Sequence, residues 1–156
     1  MIKVNLIVVG KIRERFFTDG IEEYAKRLKK YCEFNIIEIK EETLRSESPS
    51  EVADALIREG DAILKAIRGD YYVFAIEGKE YSSPEFAKLI SSSVDKGGEI
   101  NFVIGSSYGL VERVKSGAKG KISFSRFTLP HALFRLCACE QIYRAFTIIA
   151  GATYHK

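Results

Sequence analysis

The sequence contains no tryptophan, one methionine, three prolines, three cysteines and two histidines. Each scarcity excludes something. Cys32, Cys137 and Cys139 are an odd set without framework spacing, so no disulfide scaffold is encoded, and each reads as a small buried apolar residue. Cys137 and Cys139 lie two apart in a helical stretch, which turns their thiols about 200° from one another. With His131 and His155 far apart in sequence and no cysteine cluster at zinc spacing, no metal site is expected. Long apolar runs are missing too. The longest, near the C-terminus, is broken by Arg135, Glu140 and Arg144, so no membrane span is expected. The N-terminal apolar run is too short for a signal peptide and is followed by no small-residue cleavage site. A reducing cytoplasm is the expected compartment.

What remains is an ordinary globular composition, 46% hydrophobic and 29% charged over 156 residues. A chain of this size buries roughly 70% of its unfolded surface, enough for one domain over residues 1–156 without a staple. The net charge of +3 is unevenly spread. Residues 1–32 carry +4, residues 33–62 carry −6 and residues 63–156 carry +5. A polyanionic partner would therefore meet basic patches rather than a basic protein. The plainer reading of Lys26, Arg27, Lys29 and Lys30 is the solvated C-terminal end of a helix, where cations suit the dipole.

Hydrophobic patterning gives the elements. Lys3–Val9 reads as a strand ended by Gly10. Ile12, Phe16, Ile21, Tyr24, Leu28 and Tyr31 form one helix face despite Gly20. Phe34–Ile39 is a second strand, and Glu41–Glu47 an acidic loop. Ser48 is a predicted N-cap, with Pro49 in the first turn and Glu51 closing a capping box. Val52, Leu56, Ile63, Leu64 and Ile67 follow on one face. Tyr71–Ile76 is a third strand. Ser83-Pro84 opens a helix bearing Phe86, Leu89, Ile90 and Val94, ended by Gly97-Gly98. Ile100–Ile104 is a fourth strand, Leu110–Lys115 a short helix, and Ile122–Phe124 a brief fifth strand. Pro130 opens a final helix to about Ile149. Strands alternating with helices predict an α/β fold, a mostly parallel sheet with helices on both faces.

That final helix is apolar nearly all round, from Leu133 and Phe134 to Ile148 and Ile149. Such a helix needs cover on every side, which predicts a homodimer formed through it.

Ligands of open α/β sheets bind beyond the C-terminal strand ends. Three loops qualify: Glu77-Gly78-Lys79, Gly105–Gly109 and Ser125–Pro130. None carries a dinucleotide or P-loop fingerprint, and no nucleophile elbow is present. His131 reads as a neutral imidazole in a structural role. Glu140 and Arg144 have the spacing and order of a helix ion pair. If they face a cleft, Arg144 is instead placed to bind phosphate or a developing anion. Tyr154, His155 and Lys156 place an aromatic, an imidazole and a cation at a chain end, where fraying is the ordinary expectation.

Four strings carry a more specific signal. Val103-Ile104-Gly105 with Tyr108-Gly109-Leu110, Ser123 through His131, Glu140-Gln141-Ile142-Tyr143-Arg144-Ala145 and Tyr154-His155-Lys156 together resemble the ribosomal large-subunit pseudouridine N3-methyltransferase family (RlmH), of the SPOUT class. Val8-Val9-Gly10-Lys11 and Ala75 through Lys79 agree, so the resemblance covers essentially the whole chain. It implies a C-terminal deep trefoil knot whose loops cradle S-adenosylmethionine, a homodimer, and no metal. Carried over by motif, the cofactor contacts fall at Phe74, Gly105, Phe124, Ser125, Arg126, Phe127, Thr128 and Leu129. Ser106 departs from the family, which commonly has glycine there. The implied substrate is a pseudouridine of large-subunit rRNA in the assembled ribosome. The catalytic candidates are Arg144, stabilising the N3 anion, and Tyr154 and His155, orienting the base, with His155 or water taking the proton. The competing expectations are a SPOUT-class tRNA methyltransferase, a ribosome-binding module without catalysis, and a nucleotide-binding regulator.

Overall fold

Lys3–Val9 (β1), Glu33–Ile39 (β2), Tyr71–Glu80 (β3), Glu99–Ile104 (β4) and Gly120–Ser123 (β5) form one five-stranded sheet in the order β2-β1-β4-β3-β5. All four strand pairings are parallel. The helices are α1 (Arg15–Leu28), α2 (Pro49–Ala66), α3 (Ser83–Gly97), α4 (Glu112–Gly117) and α5 (His131–Ile149). This computed structural model describes residues 1–156, with residues 94, 96 and 97 described by their backbone alone. Val94, assigned above to a helix face, thus lies outside the described side chains.

Alternation along the strands splits the core in two. Val4, Leu6 and Val8 of β1 face the layer of α1, α3 and α5 with Phe102, Phe74 and Ile142. Ile7 and Val9 point the other way, packing with Val103, Val73, Ile63 and Val114 beneath α2 and α4. Helices therefore cover both faces, as a parallel sheet requires.

The register is pinned by a polar ladder that hydrophobic patterning does not reveal. Asn5 pairs in register with Asn35 on one side and Asn101 on the other. Asn35 donates to Asn5 at 3.1 Å, Asn5 to Asn101 at 2.9 Å, and Asn101 to the carbonyls of Arg68 and Asp70. A one-residue slip would leave these amides unpaired within the sheet, so the ladder selects one register.

The structure departs from the sequence expectations in several places. Glu77-Gly78-Lys79 is no loop: β3 continues to Glu80, and its pairing with β5 resumes after an irregularity between Phe74 and Lys79. Gly78 permits this, because a Cβ there would stand 2.6 Å from the Lys121 backbone. α1 begins at Arg15, so Ile12 precedes it, and Phe16 in its first turn is 77% exposed rather than on the buried face. Gly20 fits α1 against α5, with the Leu136 side chain 2.9 Å from where a Cβ would lie. Ser48 caps α2 by accepting the Glu51 amide at 3.3 Å. The Glu51 carboxylate, however, takes the amides of Arg45 and Ser46, holding the acidic loop instead of closing the box. The reciprocal box forms at α3, where Glu85 N–H donates to Ser82 Oγ and Ser82 N–H to the Glu85 carboxylate. Cys32 and Cys139 are buried, their thiols pushed up to about 12 by desolvation, but Cys137 is only half-buried.

Candidate active site

Two neighbouring features occupy the end of the sheet where β3 and β5 finish. The first is a cleft of about 160 Å³ bounded by Phe74, Phe124, Ser125, Phe127, Thr128 and Leu129. Its inner wall is a cluster of phenyl rings. Phe124 stacks on Phe134 at 4.6 Å between centroids, and Phe74 meets them edge-on at 5.1 and 5.5 Å. Aromatic clusters of this geometry gain about 0.5–1.5 kcal/mol per pair beyond burial. Ser125 Oγ accepts the Phe127 amide at 2.8 Å and so shapes the loop between β5 and α5.

Six of the eight cofactor candidates thus meet at one cleft, while Arg126 and Gly105 do not line it. Gly105 is buried in a tight turn after β4, where Gly109 N–H donates to the Ser106 carbonyl at 2.8 Å. A Cβ at Gly105 would lie 2.5 Å from the Gly109 carbonyl oxygen, so the turn admits only glycine. Ser106 occupies its place in that turn without a positive φ. Arg126 is exposed, and Phe127, at the mouth of the cleft, is 85% exposed.

The downstream end of the loop is anchored at β1. His131 Nε2 lies 3.1 Å from the Val9 carbonyl, and Arg135, only 2% exposed, donates to the carbonyls of Val9 and Gly10 and pairs with Glu38. Burial, with the Arg135 charge adding, holds the His131 imidazole below its ordinary range. This is the structural role expected of it.

The second feature is the folded-back tail. Glu140 and Arg144 form the expected ion pair at 2.5 Å. Arg144 also lies 4.8 Å above the Tyr154 ring and donates to His155 Nδ1 at 3.2 Å. A guanidinium only donates, so Nδ1 accepts here and the imidazole proton sits on Nε2. Tyr154 O–H donates to Glu140 at 3.0 Å, and its ring packs edge-on against Tyr143. Burial first, then the neighbouring Tyr24 and Glu140, hold the Tyr154 phenol well above its ordinary range. The tail is therefore fixed, not frayed, and Arg144, Tyr154 and His155 converge. Gln141 joins them, donating to Glu140 at 2.8 Å and accepting from Ser83 at 2.8 Å.

Between the two features runs a groove of about 510 Å³ along the outer side of α5, which includes Leu133, Leu136, Cys137 and Glu140. It shares Ile122, Ser123 and Phe124 with the aromatic cleft. Sequence reasoning missed Phe134 and Gln141 as site residues. Phe134 was hidden among the apolar residues of α5, and Gln141 stood inside a quoted motif without a role.

The sequence and the fold both have known relatives. A family model described as "Predicted SPOUT methyltransferase" matches residues 2–155. Among solved structures, a probable methyltransferase from Bordetella pertussis superposes with a TM-score of 0.54 at 13% identity, covering 92% of this chain and 95% of that one. The tRNA (m1G37) methyltransferase from Aquifex aeolicus gives 0.53 at 16% identity, covering 99% and 73%. Fold and family model together define a methyltransferase of the SPOUT class. Two relatives, both named "Ribosomal RNA large subunit methyltransferase H", are much closer in sequence. One, from Limosilactobacillus reuteri (strain DSM 20016), is 50% identical over 157 residues, covering 98% of this chain and 99% of its own. The other, from Caldicellulosiruptor saccharolyticus, is 49% identical over 155 residues with the same coverage. The chain belongs to the ribosomal RNA large subunit methyltransferase H family within that class.

Proposed function

We propose that the protein transfers a methyl group from S-adenosylmethionine to N3 of a pseudouridine in large-subunit rRNA, acting on assembled ribosomes as a homodimer. The observation that carries this is the convergence of Arg144, Tyr154 and His155, the first two bonded to Glu140 and His155 to Arg144, beside a groove that continues into the aromatic cleft.

The donor set fits the cofactor in character. Phe74, Phe124 and Phe134 offer an apolar slot for a flat heterocycle, and the loop Ser125–Leu129 offers backbone groups to its polar edge. The slot holds part of a nucleoside, and the adjoining groove provides room for the rest. When bound, the cofactor supplies an electrophilic methyl group. The chain's own residues hold the base and manage its charge. An imide nitrogen attacks only after losing its proton, and Arg144 stands ready to stabilise the resulting anion. His155 Nε2–H and the Tyr154 ring orient the base. His155 Nδ1 is engaged by Arg144, the Tyr154 phenol resists ionisation, and Glu140 already accepts from Arg144, Tyr154 and Gln141. With these groups engaged, we assign the proton to water, and His155 is the alternative acceptor once its contact with Arg144 opens.

Dimerisation would cover the groove along α5, whose Leu133, Leu136 and Cys137 stand partly exposed. A knot fits the chain path. Residues 124–130 leave β5 at the sheet edge and arrive at His131 beside Val9, crossing the ends of β3 and β4. We read residues 1–156 as one catalytic unit, and among the described residues no helix is long and apolar enough to cross a membrane.

The test is transfer of labelled methyl from S-adenosylmethionine into assembled ribosomes, free rRNA and tRNA. Label in ribosomes alone, lost when the target pseudouridine is replaced by uridine, is the expected result. Label in tRNA would reassign the substrate, and no label with no cofactor binding would leave a ribosome-binding module.

A further inference from the structure

The acidic segment has no part in methyl transfer as described above. Residues 33–62 carry −6, and the loop between Glu41 and Glu47 packs with α2 and the Ser106 turn around a second cleft of about 320 Å³. That volume lies at the lower end of small-ligand sites, which run from roughly 300 to 1,000 Å³.

Glu59 is the unusual residue in its lining. It is 4% exposed. One carboxylate oxygen accepts the Glu42 amide at 3.0 Å, and the other has no hydrogen-bond partner among the described residues. A buried carboxylate oxygen without a partner carries the full loss of its hydration, so its place in the fold calls for an explanation, such as a bound ligand. Neighbouring charges make the environment worse. Burial foremost, with the charges of Glu41 and Glu42 adding, raises the Glu59 carboxyl above its usual range against the opposing pull of the Glu42 amide and the Ser106 hydroxyl. Both neighbours line the same cleft, and among the described residues Glu42 alone of the two forms a salt bridge, to Arg58 at 3.3 Å. At the rim Tyr108 O–H donates to Glu47 at 2.7 Å. The other side is aliphatic, with Leu44, Val52, Ala55 and Leu56.

The cleft therefore asks for positive charge at one end and methylene groups along its side. A divalent metal fits poorly: no group of three or more His, Cys, Asp or Glu is arranged to hold one among the described residues, and hard cations require six or more oxygen ligands. An ammonium needs only three acceptors. Glu59 and Glu41 provide two, and the Ser106 and Thr43 hydroxyls border the same space.

We propose that this cleft binds an alkylammonium ligand of the diamine or polyamine class, with a terminal ammonium at Glu59 and Glu41 and its chain against Leu44, Val52 and Leu56. The site stands apart from the methyl-transfer reading and is tested without it.

The experiment is titration of the full chain with spermidine, followed by calorimetry and by the carboxyl carbon resonance of Glu59, with magnesium chloride as competitor. Saturable binding of one spermidine per chain with a shift of the Glu59 resonance is expected. Glu59→Gln, which keeps an acceptor for the Glu42 amide, weakens binding at least tenfold. Leu56→Arg, which sends a tethered cation into the cleft, abolishes it. Circular dichroism establishes that both variants are folded. Absence of saturable binding, affinity unchanged from the parent in either variant, or displacement by magnesium at equal concentration would each overturn the proposal. So would binding of a lysine-rich peptide where spermidine does not bind.

Discussion

Tyr154 donates its hydroxyl hydrogen to Glu140 at 3.0 Å across fourteen residues, closing the tail onto the helix that precedes it. This contact holds Tyr154 and His155 beside Arg144. Replacing Tyr154 with Phe should lower single-turnover methyl transfer by roughly 10- to 100-fold through misplacement of His155. Deleting residues 154–156 should abolish transfer. Cofactor affinity, measured by titration calorimetry, should hold in both. Equal loss of affinity and rate would refute the separation of the tail from the cofactor cleft.

Phe134 stacks on Phe124 at 4.6 Å and closes the inner wall of the cleft. Phe134→Ala should destabilise the protein by about 3 kcal/mol in urea unfolding, the usual cost of removing a packed phenyl ring. It should weaken cofactor binding more than Phe127→Ala, because Phe127 is almost fully exposed.

Gly78 lies where β3 and β5 resume pairing, and a Cβ there would overlap the Lys121 backbone at 2.6 Å. Backbone cannot rotate aside as a side chain can. Gly78→Ala should cost about 2–3 kcal/mol by overpacking, whereas Gly20→Ala, opposed by the mobile end of Leu136, should cost less. Denaturant midpoints of the two variants provide the comparison.

His131 gives stability a pH dependence. Its folded pKa lies below the ordinary 6.5, with burial as the main cause and Arg135 adding. Between the folded value and 6.5 the unfolded chain binds a proton that the folded chain does not, so stability rises with pH there. The contribution is complete above about 6.5 and is lost as pH falls through the folded pKa. Unfolding free energies between pH 5 and 7.5 should therefore climb less steeply in His131→Gln than in the parent.

Leu133 lines the groove along α5 and is partly exposed. Leu133→Arg should shift the protein from dimer to monomer in sedimentation velocity, and methyl transfer should fall with it. A parent protein that sediments as a monomer at micromolar concentration would remove the dimer from the proposal.

The sequence by itself determined the alternation of strands and helices, because burial on both faces gives β1, β3 and β4 continuous apolar runs. It determined the N-cap at Ser48, a local hydrogen bond over three residues. The motif strings located the aromatic loop and the tail, since residues close along the chain carry most of both. The tertiary structure decided the rest, wherever distant residues had to meet. Gly78 became part of a strand only because β5 lies beside it. The Asn5–Asn35–Asn101 ladder exists only once three strands align. Phe16 turned outward because α1 starts at Arg15, and Phe134 became a cleft residue because the first turn of α5 packs on Phe74 of β3 and on Phe124 beyond β5. Glu59 reads in sequence as one more acid on an amphipathic helix. Only packing against the Glu42 amide and the Ser106 turn makes it a buried carboxylate with an oxygen to spare.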